Sequence, residues 1–184
     1  MSRRARIVLA GVPHHVTQRG NHRQPVFFDD ADRLAYLDWL RLYATEAAIG
    51  VLAYCLMPNH IHLVAVPAQP DSLYRALKPL HGRYAQRVNR ERASPGHLWQ
   101  GRFHSTPMDE SHLWAAVRYV ERNPVRAGLV PVAEHYRWSS AAAHCGLRHD
   151  PLLSAEARWQ RQIEAVGDWS AWLAAGDTQE TVPS

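Results

Sequence analysis

The alternation of apolar and polar positions divides the chain into strand-like and helix-like segments. Residues 13–19, Pro-His-His-Val-Thr-Gln-Arg, are few, include β-branched side chains and stop at Gly20-Asn21, which predicts a strand and a turn. Asp29-Asp30 then open a stretch with Leu34, Leu37, Leu40, Ala44 and Ala47 at helical spacing, closed by Gly50. Residues 51–56 and 60–66 are two apolar runs separated by Met57-Pro58-Asn59, a connection short enough to require an antiparallel hairpin. From Asp71 a second helical stripe carries Leu73, Leu77, Leu80, Tyr84 and Val88. Arg75, Lys78, Arg83, Arg87 and Arg90 lie off it, and Pro79 in its middle predicts a kink. After Ser94-Pro95-Gly96, residues 98–106 read as another strand, and Asp109-Glu110-Ser111 caps a third helix. That helix is expected to end around Asn123-Pro124, because proline pushes the residue before it away from helical angles.

Strand, helix, hairpin, helix, strand, helix is an α+β order. It predicts a ferredoxin-like sandwich with a mainly antiparallel sheet and helices on one face. From Ala141 the text becomes rich in Ala and Trp, including Trp159, Trp169 and Trp172. The expected division is a domain over residues 1–140 and a C-terminal helical tail over 141–184.

Composition adds charge. In 184 residues there are 21 Lys and Arg against 17 Asp and Glu, and Lys78 is the single lysine. Arg grips phosphate bidentately where Lys acts as a point charge, so the choice fits a phosphate binder; it equally fits a genome that favours Arg codons. Cys55 and Cys145 stand far apart with no CxxC, which predicts neither a disulfide scaffold nor a thiolate zinc site. The apolar stretch 7–12 after the basic start is too short for a signal-peptide core, and no window approaches the roughly 18 apolar residues of a membrane span. A cytoplasmic protein is expected.

Two constellations carry candidate chemistry. On a strand, His60 and His62 project from one face while Ile61 faces the other; among 12 histidines the pair reads either as metal ligands or as surface imidazoles. On the third helix Leu113, Ala116, Val117 and Val120 form the core stripe, and Tyr119 and Asn123, four apart, share its edge. Tyr119 there is either a residue of the core margin or one that reaches a ligand.

Several ordered motifs join these signals. They are His14-His15-Val16-Thr17-Gln18-Arg19-Gly20-Asn21, Pro58-Asn59-His60-Ile61-His62-Leu63, Gly82-Arg83-Tyr84-Ala85-Gln86, Gly96-His97-Leu98-Trp99-Gln100-Gly101-Arg102-Phe103, Arg118-Tyr119-Val120-Glu121-Arg122-Asn123-Pro124-Val125-Arg126-Ala127-Gly128-Leu129-Val130, and Trp138-Ser139-Ser140. In this order they resemble the REP-associated tyrosine transposases, a branch of the single-tyrosine, His-hydrophobic-His transposases, over residues 3–141. Pro79 departs from that pattern and touches none of the site positions.

The resemblance implies a single-stranded DNA endonuclease and strand transferase. The family's metal-binding histidine pair falls on His60 and His62, its helix-borne polar ligand on Asn123 and its nucleophile on Tyr119. A hard cation, Mg²⁺ or Mn²⁺, suits such ligands. It would promote ionisation of a phenol whose usual pKa is near 10, with Arg118 or Arg122 assisting and a nearby helix C-terminus opposing. The implied partner is single-stranded DNA in palindromic hairpins with a short flanking guide, bound by a monomer or homodimer. Phosphate contacts are expected from Arg3, Arg4 and Arg6 on the N-terminal arm and from Arg19, Arg83, Arg87 and Arg102, with Trp99 and Phe103 beside the last. A domesticated copy that binds palindromes without cutting and a nuclease that uses water are the alternatives; only a tyrosine nucleophile leaves DNA attached to protein.

Overall fold

The structure is a computed structural model that describes residues 7–93 and 96–175. Its elements are β1 (His14–Arg19), α1 (Asp30–Glu46), β2 (Ile49–Met57), β3 (His60–Pro67), α2 (Ser72–Glu91), β4 (His104–Pro107), α3 (Glu110–Arg126), α4 (Ala141–His144), α5 (Ala157–Val166) and α6 (Trp169–Ala174). The four strands form one sheet in the order β2-β3-β1-β4, every neighbouring pair antiparallel. This is the expected α+β sandwich, and Pro58 and Asn59 alone connect the two strands of its hairpin.

Register assigns each side chain to a face. Arg19, Thr17 and His15 of β1 stand opposite His60, His62 and Val64 of β3, and Met57, Cys55 and Ala53 of β2 continue the same three rows. The other face presents Val16, Ile61, Leu63 and Ala65, all buried. α1 and α2 pack together over this second face, with Tyr36 and Tyr84 in edge contact at 5.2 Å and Phe27 against both. α3 lies across the first face, where Asn123 meets His62. The helices therefore occupy both faces rather than one, because Ala53, Cys55 and Val64 on the histidine face also need cover and the apolar stripe of α3 supplies it.

Three boundaries differ from the sequence reading. α1 ends at Glu46 and turns at Ala48 with φ 52°, while Gly50 lies inside β2, where a Cβ would come within 3.2 Å of Ser154 Oγ. Residues 98–103 are not strand: Asn21 N–H donates to Leu98 O at 2.8 Å and Gln100 N–H to Arg19 O at 2.9 Å, so this stretch wraps the end of β1 and only residues 104–107 join the sheet. α3 runs through Pro124 to Arg126. Gly128 at φ 68° then stops it, with its N–H donating to Val125 O and that of Leu129 to Pro124 O, which closes the last turn. α2 spans Pro79, where a kink is expected, as one continuous helix.

The chain after α3 returns to the outer edge of β2. Leu56 N–H donates to Trp138 O, Ser140 N–H to Tyr54 O and Ser154 N–H to Val51 O, which pairs amides that an edge strand would otherwise expose. α6 then packs against α3, with Trp169 near Trp114 at 6.1 Å.

Candidate active site

His60 and His62 project from the α3-covered face of β3, their ring centroids 4.8 Å apart. His60 is half-buried and His62 buried. Burial, and then the charge of Arg19, lowers the His60 pKa to about 4. Burial, then neighbouring His60, His15 and Arg19, lowers that of His62 to about 3. Both rings are neutral at pH 7, the form that ligates metal.

The partners of each ring fit one tautomer in which Nε2 is free on both. Asn59 donates through Nδ2 to Arg23 O at 3.1 Å, so its Oδ1 is left to accept from His60 Nδ1–H at 2.6 Å. Asn123 Nδ2 lies 3.3 Å from His62 Nε2 and His62 Nδ1 lies 3.0 Å from His15 Nε2; with the amide nitrogen donating to Nε2, the His62 proton sits on Nδ1 and points at His15. Each histidine thus carries its lone pair on Nε2 and uses Nδ1–H for a fixed partner, the arrangement that orients a metal-ligating imidazole. A half-turn of the Asn123 amide exchanges its nitrogen for its oxygen. Two neutral imidazoles and an amide oxygen suit a divalent cation with open positions.

Tyr119 stands one helical turn before Asn123 and packs edge-on against His62, ring centroids 5.5 Å apart, and against His15 at 6.0 Å. It is 40% exposed. Because α3 continues to Arg126, Tyr119 lies nearly two turns from the helix end, beyond the reach of the terminal partial charge. The cation over its ring is Arg126, at 5.3 Å. Arg118, expected with Arg122 as an assistant, donates to the carbonyl of Trp172.

Beside the histidines opens a cleft of about 560 Å³, lined by Thr17, Gln18, Arg19, Arg23, Gln100, Gly101, Arg102 and His104 together with His60 and His62. Arg19 and Arg102 meet here. Arg83 and Arg87 do not: Arg83 lies over the Trp39 ring at 4.3 Å, and Arg87 faces Glu91 at 3.3 Å and Asp32 at 3.9 Å. Arg3, Arg4 and Arg6 lie outside the described residues. The cleft also contains Arg23 and His104, which the sequence reading did not single out, and His15 and Asn59 complete the site behind the histidines. Arg23 and its neighbour His22 adopt left-handed angles, φ 60° and 50°, an uncommon state for side chains of this size. Gly20 permits that turn, since a Cβ there would lie 2.2 Å from Gln24 O.

A family model for IS200-like transposases matches residues 10–123. The chain belongs to that family. Transposases are enzymes that cut and rejoin DNA, and the matched region holds β1, the hairpin with His60 and His62, α2 and α3 as far as Asn123. The solved structure of a REP-associated tyrosine transposase bound to a REP hairpin shares the fold, with a TM-score of 0.66 over 85% of this chain and 93% of that one at 17% identity. That of a putative transposase from Deinococcus radiodurans R1 covers 66% of this chain and 97% of its own at 23% identity, with a TM-score of 0.43. No curated protein matches the sequence. Among the described residues, no helix of this transposase is long and apolar enough to cross a membrane.

Proposed function

We propose that this transposase is a metal-dependent single-stranded DNA endonuclease and strand transferase that acts beside palindromic hairpins. The observation that carries the reading is the packing of Tyr119 against His62, with Asn123 on the same imidazole. One chain brings together a candidate nucleophile and three candidate ligands. In cleavage, the Tyr119 Oη attacks the phosphorus, the bond from phosphorus to the 3′ oxygen breaks, and the phenolic proton is balanced by one taken up at the new 3′-OH. The product is DNA joined through its 5′ phosphate to Tyr119, which conserves the phosphodiester energy for attack by another strand.

His60, His62 and Asn123 would hold Mg²⁺ or Mn²⁺, which when bound supplies charge stabilisation at the phosphate and favours the phenolate. Asn59 and His15 keep the two Nε2 lone pairs aimed at that position. Arg19, Arg23 and Arg102 hold the strand by its phosphates along the cleft. The hairpin as substrate, with a short unpaired flank, rests on the ordered motifs of the sequence and on the likeness of fold to a hairpin-bound relative.

The test is incubation of the purified protein with end-labelled single-stranded DNA carrying palindromic repeats, with Mn²⁺ or with a chelator, followed by denaturing electrophoresis. A protein–DNA band that requires Mn²⁺ and is absent from Tyr119→Phe is expected, with DNA affinity of the variant within about twofold of the parent, since the ring remains and only the nucleophilic hydroxyl is lost. Cleavage that persists in the variant would move the nucleophile elsewhere.

A further inference from the structure

Glu121 is wholly buried, and a lone carboxylate in such a place is costly unless its oxygens are satisfied. Here they are satisfied by three side chains from the C-terminal part of the chain. Oε1 accepts from Ser140 Oγ and from His144 Nδ1 at 2.7 Å, and Oε2 accepts from Trp169 Nε1 at 2.8 Å. The His144 ring also packs against that of Trp169, centroids 4.6 Å apart. All three donors lie beyond residue 123, where the family match ends.

Glu121 is two residues from both Tyr119 and Asn123 in α3. At about 100° per residue its side chain leaves the helix on the flank opposite theirs. Fixing this flank fixes the rotation of the helix, and with it the position of the other flank over His62. An apolar side chain would fill the space without the desolvation cost, but it would leave the helix free to turn or slide by fractions of an ångström. Charge-assisted hydrogen bonds are directional and forbid that.

We propose that Glu121 is a positioning residue, through which Ser140, His144 and Trp169 hold α3 at the rotation that sets Tyr119 and Asn123 against His62. The C-terminal helices are then part of the cutting apparatus without touching DNA. This rests on Tyr119 being the nucleophile.

Two variants test it. Glu121→Gln keeps the shape but makes one hydrogen-bond donor face another, and Trp169→Phe removes only the indole N–H. The first measurement is the single-turnover rate of adduct formation at saturating hairpin DNA and Mn²⁺, with adduct amplitude reporting the folded fraction and DNA affinity measured separately. The second is the nuclear Overhauser contact between the Tyr119 and His62 rings in the DNA-free protein. Expected for both variants are a rate about tenfold to a hundredfold lower, full amplitude, unchanged affinity and a weakened ring contact. Loss of amplitude at an unchanged rate would make Glu121 a stability residue only and overturn the proposal, as would an unchanged rate. If the parent protein forms no adduct, the nucleophile reading fails by itself. The ring contact then still decides the placement, and its persistence in both variants overturns it.

Discussion

At the scale of single residues the two histidines of the candidate site tie its chemistry to acid stability. In an unfolded chain an imidazole titrates near 6.5, whereas in the native site His60 does so at about 4 and His62 at about 3. As pH falls from about 7 towards 4, the unfolded chain takes up protons that the native site refuses, so native stability declines through that window. Thermal unfolding across this range should show the decline, and His62→Gln should shallow it; equal slopes would contradict the burial argument. Because both rings stay neutral, Mn²⁺ affinity measured by electron paramagnetic resonance should hold nearly constant from pH 8 down to about pH 5. The histidine pair and the Tyr119–Asn123 pair could be read from periods of two and four. His15 could not, because its closeness to His62 depends on which rows of β1 and β3 align. Asn59 looked like a turn residue alone, and its second task appears only once Arg23 has folded back onto it.

At the scale of elements, proline separates what spacing can say from what packing decides. The local rule stops α3 at Asn123, yet the helix continues to Arg126, as α2 continues past Pro79, because their apolar stripes are long enough for burial to outweigh one missing backbone hydrogen bond. In α3 the continuation keeps Asn123 within regular helix, so that it projects alongside Tyr119. Pro79 is exposed and its ring contributes little to the core. Pro79→Ala should therefore stabilise the protein by about 1–2 kcal/mol, the helix gain of up to ~3 kcal/mol being offset by a freer unfolded chain. Urea unfolding checks this, and a loss of stability would show that the ring packs. The mistaken strand at residues 98–103 has a similar origin. Its apolar residues Leu98 and Phe103 are buried, but they anchor a loop on α2, where Trp99 Nε1 donates to His81 O at 3.0 Å, and not a sheet row.

On the scale of the whole molecule, positive charge is sorted by position and not by abundance. Arg19, Arg23 and Arg102 converge on the cleft, while Arg83 and Arg87 are spent on Trp39, Asp32 and Glu91. Each phosphate contact to a single strand contributes about −0.7 to the slope of log affinity against log salt. Arg102→Ala should reduce the measured slope by about that amount and Arg83→Ala should leave it unchanged. Equal effects would mean that DNA follows α2 rather than the cleft. The closure of the β2 edge has a consequence for synthesis. Tyr54 N–H waits for Ser140, 86 residues further along, which at about 5–20 residues per second means on the order of 10 s between the two leaving the ribosome. During that interval the hairpin that bears His60 and His62 presents a bare, apolar strand edge to every other nascent chain, so a messenger truncated before codon 140 would yield a product prone to join its neighbours strand to strand.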